Sequence, residues 1–167
     1  MKAFLFEEHS SVLALWWERR VQARTLVCLD AHLDLQHVGA ERIARLEECH
    51  SVEQVRALGK PHFLLPDGGS SYSLENFLYA AAQLGLIERL IWVAPPHART
   101  AHAPDAIRHL QQMDGVRPED LYGFKRTDGG WIEGRLLGLD LVICDYRDLG
   151  HLALPGDSLI DIDMDYL

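Results

Sequence analysis

Residues 26–37 read LVCLDAHLDLQH. Leu26, Val27, Cys28 and Leu29 form a continuous apolar run, the pattern of a strand buried on both faces, and the run opens directly into Asp30, His32 and Asp34. Carboxylates and an imidazole at the mouth of a core are costly unless a cation compensates them. A buried strand that delivers polar groups at its carboxyl end suits an α/β fold with a mainly parallel sheet, because such folds bind ligands along that edge.

The rest of the chain repeats the alternation of short apolar runs with longer amphipathic segments that marks this class. Residues 3–6 read as a first strand and 10–20 as a helix with a serine cap and Arg19-Arg20 at its end. Residues 25–29 form the second strand. Residues 39–49 and 52–58 are helical, separated by a capping pattern of Ser51 followed three positions later by Gln54. The prolines and paired glycines of KPHFLLPDGGSSYS, residues 60–73, argue for a loop. Ser73 then caps a helix over 74–84 that Gly85 ends. Residues 89–94 are a strand and 104–113 a helix. A hairpin is expected over 124–136 around Asp128-Gly129-Gly130, with further strands at 139–144 and 159–162. His9, Asp30, His97, Asp145 and Asp163 each follow one of these strand-like runs, so a parallel sheet would bring their positions towards one edge.

At 167 residues the chain can bury roughly 70% of its unfolded surface, and one domain spanning 1–167 is expected. The formal net charge of −9 and the absence of basic runs argue against nucleic acid and favour a cationic substrate or bound metal ions. Cys28, Cys49 and Cys144 are odd in number, and two lie in apolar runs, so no disulfide framework is implied. The charged N-terminus is unlike a secretory signal, and no apolar run approaches the ~20 residues of a membrane span. A cytoplasmic protein without membrane association is expected.

Three clusters carry the chemistry: EEHSS at 7–11, DAHLD at 30–34 and DIDMDYL at 161–167. Their imidazoles and carboxylates, without thiolate, favour manganese or another octahedral divalent ion over structural zinc. The carboxylates exceed what one ion needs. Two ions bridged by shared aspartates would neutralise them, and water held there would ionise near neutral pH.

In these motifs the sequence resembles a shortened, outlying member of the ureohydrolase superfamily, the arginases and agmatinases, and within it the peptide arginase family. The superfamily's Asp-Ala-His-x-Asp motif stands unbroken as Asp30-Ala31-His32-Leu33-Asp34. Its later Ser-x-Asp-x-Asp motif is approximated by Asp161-Ile162-Asp163-Met164-Asp165, with Asp161 in place of the serine, and its early Gly-Gly-Asp-His-Ser is reduced to Glu7-Glu8-His9-Ser10. The segment SLENFLYAAAQLGLIERLIWVAPP, residues 73–96, is similar to the peptide arginase branch.

The resemblance implies a three-layer αβα, arginase/deacetylase-like fold with a metal site at the carboxyl ends of the strands. It implies two Mn2+ per chain: His9, Asp30, Asp34 and Asp163 on one, His32, Asp30, Asp163 and Asp165 on the other, with Asp30 and Asp163 bridging. Asp34 would be the catalytic residue, holding a proton. The implied reaction converts arginine residues of a peptide to ornithine and urea. Alternatives are a related carbon–nitrogen hydrolase for free arginine, agmatine or an acetylated amine, or a non-catalytic, metal-containing peptide-binding protein. The arginases' downstream acidic residue has no counterpart after Asp165. Glu75 beside Asn76 is a candidate for meeting a guanidinium, His97 and His37 for moving protons, and Asp145 for orienting a metal-bound histidine. Partners are the arginine-containing peptide and, as a possible homo-oligomer, further copies of the chain.

Overall fold

The computed structural model describes residues 3–60, 69–95 and 103–166. In chain order the elements are α1 (Val12–Glu18), β1 (Arg24–Leu29), α2 (Ala40–Glu47), α3 (Val52–Ala57), β2 (Gly59–Lys60), β3 (Tyr72–Ser73), α4 (Phe77–Gln83), β4 (Ile87–Val93), α5 (Ala103–Gln111), β5 (Lys125–Arg126), β6 (Ile132–Leu136), β7 (Leu139–Cys144) and β8 (Leu159–Ile162). They fall into two compact units. A helical unit comprises Met1–Gln22 and Asp34–Leu86, and a sheet unit comprises Ala23–Leu33 and Ile87–Leu167.

In the helical unit a 3-10 turn, His9–Ser11, leads into α1, which buries Val12, Leu13, Ala14 and Trp16. Trp16 leans on Phe77 at the start of α4, ring centroids 6.2 Å apart. In α2, Ile43 and Leu46 share one face at helical spacing and are buried, while the charged residues stay outside. Ser51 and Gln54 form the expected capping box: the Ser51 hydroxyl accepts the Gln54 amide at 3.3 Å, and the Gln54 carbonyl accepts the Ser51 amide at 3.2 Å. At the far end of α4, Gly85 adopts φ 68°. Its amide bonds Ala82 O and the Leu86 amide bonds Ala81 O, both at 2.9 Å, which closes the helix with paired backbone caps.

The sheet unit carries six strands in the order β5-β6-β7-β4-β1-β8. The run β7-β4-β1-β8 is parallel, whereas β6 joins β7 and β5 joins β6 antiparallel, so the sheet is mixed and mainly parallel. The central strands β1, β4 and β7 are the continuous apolar runs of the sequence, buried on both faces. Val27, Ile91, Val93, Val142 and Cys144 pack as one core cluster on one face. The hairpin around Asp128-Gly129-Gly130 forms as expected, closed by Thr127 N to Trp131 O at 2.9 Å. No helix among the described residues is long and apolar enough to cross a membrane.

Three expectations are corrected. Residues 3–6 form no strand: they are irregular and exposed, with Leu5 95% exposed, because an apolar run becomes a strand only where a ladder partner exists. Helix α4 begins at Phe77 rather than Leu74. The Asn76 side-chain oxygen accepts the Ser73 amide at 2.8 Å and closes a turn there, the usual competition of asparagine with helix. The two ends of the expected 60–73 loop, β2 and β3, pair as a short parallel ladder, Gly59 opposite Tyr72 and Lys60 opposite Ser73.

Candidate metal centre

Within the sheet unit the candidate donors collect where β1 and β8 end. The register sets Cys28 opposite Asp161 and Leu29 opposite Ile162, and the Asp163 amide continues the ladder to Leu29 O at 2.9 Å. Asp30 and Asp163 therefore leave adjacent strands side by side. Asp30 is fully buried, and the cost of a carboxylate there demands fixed partners. Its Oδ1 accepts the His32 amide at 2.7 Å, a tight local turn that holds the carboxylate in place. Its backbone carbonyl accepts the buried indole N–H of Trp92, from β4, at 2.9 Å.

Asp165 reaches the same spot from the other strand. A 3-10 turn over Met164–Tyr166, closed by Tyr166 N to Asp163 O at 3.2 Å, turns the chain back towards β1. Asp165 Oδ1 then accepts the Ala31 amide at 3.2 Å, and its Oδ2 lies 2.7 Å from His32 Nδ1. One donor atom each from Asp30, His32 and Asp165 lie within 4.8 Å of one another. Two carboxylates and one imidazole, with His32 largely exposed, are a donor set that fits a divalent ion favouring oxygen and nitrogen ligands.

The helical unit holds the other two candidate ligands. His9 opens the first 3-10 turn with its ring tilted on Phe77, centroids 4.8 Å apart, and its Nδ1 lies 3.5 Å from Asp34 Oδ2. Asp34 is buried and has φ 47°, a left-handed conformation that aspartate tolerates better than most residues. Its carbonyl accepts the Leu78 amide at 3.3 Å, and the Gln36 amide bonds Glu75 O at 3.1 Å, so the backbone after the motif is laced to the start of α4.

The other candidates have different surroundings. The Glu75 side chain is exposed in the turn before α4, and the Asn76 side-chain oxygen is taken up by the Ser73 amide. His37 stacks on Tyr79, ring centroids 5.2 Å apart. His97 lies outside the described residues. Asp145 ends β7 and grips Arg147, Oδ1 to Nε 3.0 Å and Oδ2 to Nη2 2.8 Å, while its Oδ1 accepts the Arg147 amide at 2.9 Å. The guanidinium and these bonds hold the Asp145 carboxyl below the usual carboxylate range.

Two residues that sequence reasoning passes over complete the sheet-unit surroundings. Trp92, legible only as a core aromatic, is the donor that positions Asp30. His109 on α5 packs against the Trp92 indole, centroids 5.7 Å apart. Burial, and secondly the charge of His32, push His109 below the ordinary histidine pKa. Helical spacing gives no sign of either contact. A cleft of about 860 Å³ in the helical unit, lined by Trp17, Glu18, Glu47, Cys49 and Glu53 among others, includes none of the candidate ligands.

Comparison of the chain with protein families, with curated proteins and with solved structures finds no match.

Proposed function

We propose that the chain is a metal-dependent carbon–nitrogen hydrolase that uses two manganese ions to convert arginine residues of a peptide to ornithine, releasing urea. The ligand set in this reading is His9, Asp30, His32, Asp34, Asp163 and Asp165, on an arginase/deacetylase-like scaffold in the cytoplasm. The observation that carries the reading is the convergence of Asp30, His32 and Asp165 at the carboxyl ends of β1 and β8, across 135 positions of sequence for the outer pair, 30 to 165. Three free cysteines suit a reducing compartment.

Bound ions supply Lewis acidity and lower the pKa of water. The protein's own groups do the rest. The His32 amide and the Trp92 indole hold Asp30 rigid, so its geometry is set before substrate arrives. Asp165 orients the His32 ring through Nδ1. Asp34 holds a proton on its carboxylate during hydrolysis, with His9 Nδ1 beside Oδ2. Arginine stays protonated in water, so carboxylates and a net charge of −9 favour its approach.

The test is mass spectrometry of an arginine-containing peptide incubated with manganese-loaded protein, beside free arginine, agmatine, an acetylated amine and an Asp30→Asn control. Conversion of the peptide's arginine to ornithine, lost in Asp30→Asn, is expected. Near-wild-type turnover by Asp30→Asn at full metal occupancy would sink the assignment. Metal and peptide binding with no conversion of any substrate would replace it with a non-catalytic binding protein.

A further inference from the structure

We propose that the Tyr166 ring is the anchor that seats Asp165 at the donor cluster, a positioning residue for the metal centre; its consequence for metal binding rests on the function proposed above. Asp165 stands in the 3-10 turn Met164–Tyr166, just past the four-residue edge strand β8. Its partners lie at the surface: Oδ1 accepts the Ala31 amide at 3.2 Å, and Oδ2 is 2.7 Å from Nδ1 of His32, whose side chain is 70% exposed. Contacts open to water contribute little each, so these two do not by themselves fix the turn. The strand before it adds little burial, since Ile160 is 63% exposed and Ile162 55%.

Tyr166 supplies what the rest of the segment lacks. Met164 is 74% exposed and Asp165 is exposed, whereas Tyr166 is half-buried and packs against Val27, Ile91, Val93, Val142 and Cys144, the cluster drawn from the three central strands. Aromatic side chains bury more apolar surface than any others, so one ring can hold a segment this short. The Tyr166 amide bonds Asp163 O at 3.2 Å, which closes the turn between the end of β8 and the anchored ring. A 3-10 helix has about three residues per turn, so successive side chains diverge by about 120°. Seating Tyr166 on the core therefore turns Asp165 away from it, and the carboxylate meets Ala31 and His32 just past the end of β1.

The ring rather than the hydroxyl makes this anchor. Tyr166 Oη is buried and makes no hydrogen bond among the described residues, a penalty that phenylalanine would not carry. Tyr166→Phe should therefore keep the anchor, with Tm at or above that of the wild type, whereas a smaller side chain releases the turn. Leu152 packs on the same cluster from a different segment, after β7, so its truncation costs core packing without touching the turn.

The experiment uses the full chain as wild type, Tyr166→Phe, Tyr166→Ala and Leu152→Ala. Amide hydrogen exchange at Ala31, read by NMR on metal-free protein, reports whether the Asp165 carboxylate is seated, and calorimetric titration with Mn2+ reports the cluster. For Tyr166→Ala, exchange at Ala31 about tenfold faster and Mn2+ affinity about tenfold weaker are expected, the scale on which groups behind a ligand act. Tyr166→Phe should keep the wild-type values of both, and Leu152→Ala should lower Tm while leaving both unchanged. Tyr166→Leu, which fills less of the same space, is read where Tyr166→Ala does not fold, with the same direction expected. Wild-type exchange in Tyr166→Ala overturns the inference. So does a Leu152→Ala that matches Tyr166→Ala in both readings, which reduces Tyr166 to general packing, and so does a Tyr166→Phe that matches it, which gives the role to the hydroxyl. Faster exchange in Tyr166→Ala with no Mn2+ bound by the wild type leaves the inference standing and removes the metal-dependent reading. Wild-type exchange in Tyr166→Ala with peptide arginine still converted to ornithine does the reverse.

Discussion

Replacing Trp92 by phenylalanine tests how the buried aspartate is held. Trp92 is 0% exposed, sits in β4 opposite Cys28 and Ile143, and donates its indole N–H to the Asp30 carbonyl at 2.9 Å. Phenylalanine keeps most of the apolar surface but removes the donor. Loss of a hydrogen bond at a buried site costs about 1–2 kcal/mol, and the smaller ring leaves a void worth about 1 kcal/mol. Trp92→Phe should therefore be less stable by about 2–3 kcal/mol, a fall in Tm of roughly 4–12 °C for a chain of this size. The assay is urea unfolding followed by far-ultraviolet circular dichroism, with half-buried Trp17→Phe as the comparison. Calorimetric titration with Mn2+ should show affinity about tenfold weaker, the scale on which groups behind a ligand act. A stability loss below about 0.5 kcal/mol, the range of neutral surface changes, would refute the energetic argument. A full stability loss with unchanged metal affinity would refute the link from the indole to the metal site.

Gly59→Ala would set a Cβ 2.8 Å from the buried Tyr72 ring, so it should cost about 1–3 kcal/mol in urea unfolding, with Tyr72→Leu in the same chain restoring part of the loss. For His109, burial and the charge of His32 depress the folded-state pKa, while the unfolded chain takes up its proton near ~6.5. The unfolded state then binds more protons, so this stabilisation is complete above that value and is lost as pH falls through the folded pKa; His109→Gln should flatten the acid side of the stability curve, and an unchanged curve would contradict it. Burial, with Asp148 and Asp145 nearby, pushes the Cys144 thiol up to about 12, and Cys28 is buried as well. Ellman's reagent at pH 8 should therefore reach only half-buried Cys49 in the native protein, slowly because burial and then Glu48 raise its pKa, and all three thiols in urea.

Elements fixed by local chemistry were the legible ones. Ser51 with Gln54, Gly85 after α4, and Asp128-Gly129-Gly130 each determine backbone geometry within a few residues, and each sits where the residue types indicate. The buried runs of β1, β4 and β7 were equally plain because their lengths suit strands rather than helices. What could not be read was whether a given short apolar run would find a ladder partner. Residues 3–6 (AFLF) are more uniformly apolar than β8 (LIDI), yet β8 pairs with β1 and residues 3–6 join no ladder. The β6–β7 turn was opaque for another reason: Leu137 and Gly138 both have positive φ, 50° and 91°, where Asn-Gly would have announced the hairpin.

The approach of Asp30, His32 and Asp165 was legible because parallel strands end on one edge, a rule that ties DAHLD to DIDMD without knowledge of the intervening chain. DAHLD itself divides: Asp30 to Leu33 belong to the sheet unit, and Asp34 begins the helical segment. Asp34, the first residue of that segment, has φ 47°, and its carbonyl accepts the Leu78 amide in α4 within the helical unit. Aspartate at 34 is thus doubly constrained, by its backbone and by its contact with His9. Asp165 is constrained in a similar way. It supplies a donor to the cluster, and its bonds to Ala31 and His32 fasten the end of an edge strand of four ladder positions, whose other end lies by the Arg24–Asp157 ion pair. A short edge strand frays unless its end is tied. A metal bound there would draw Asp165 and His32 together from the ends of both strands, so its occupancy would be coupled to the pairing of β8 with β1.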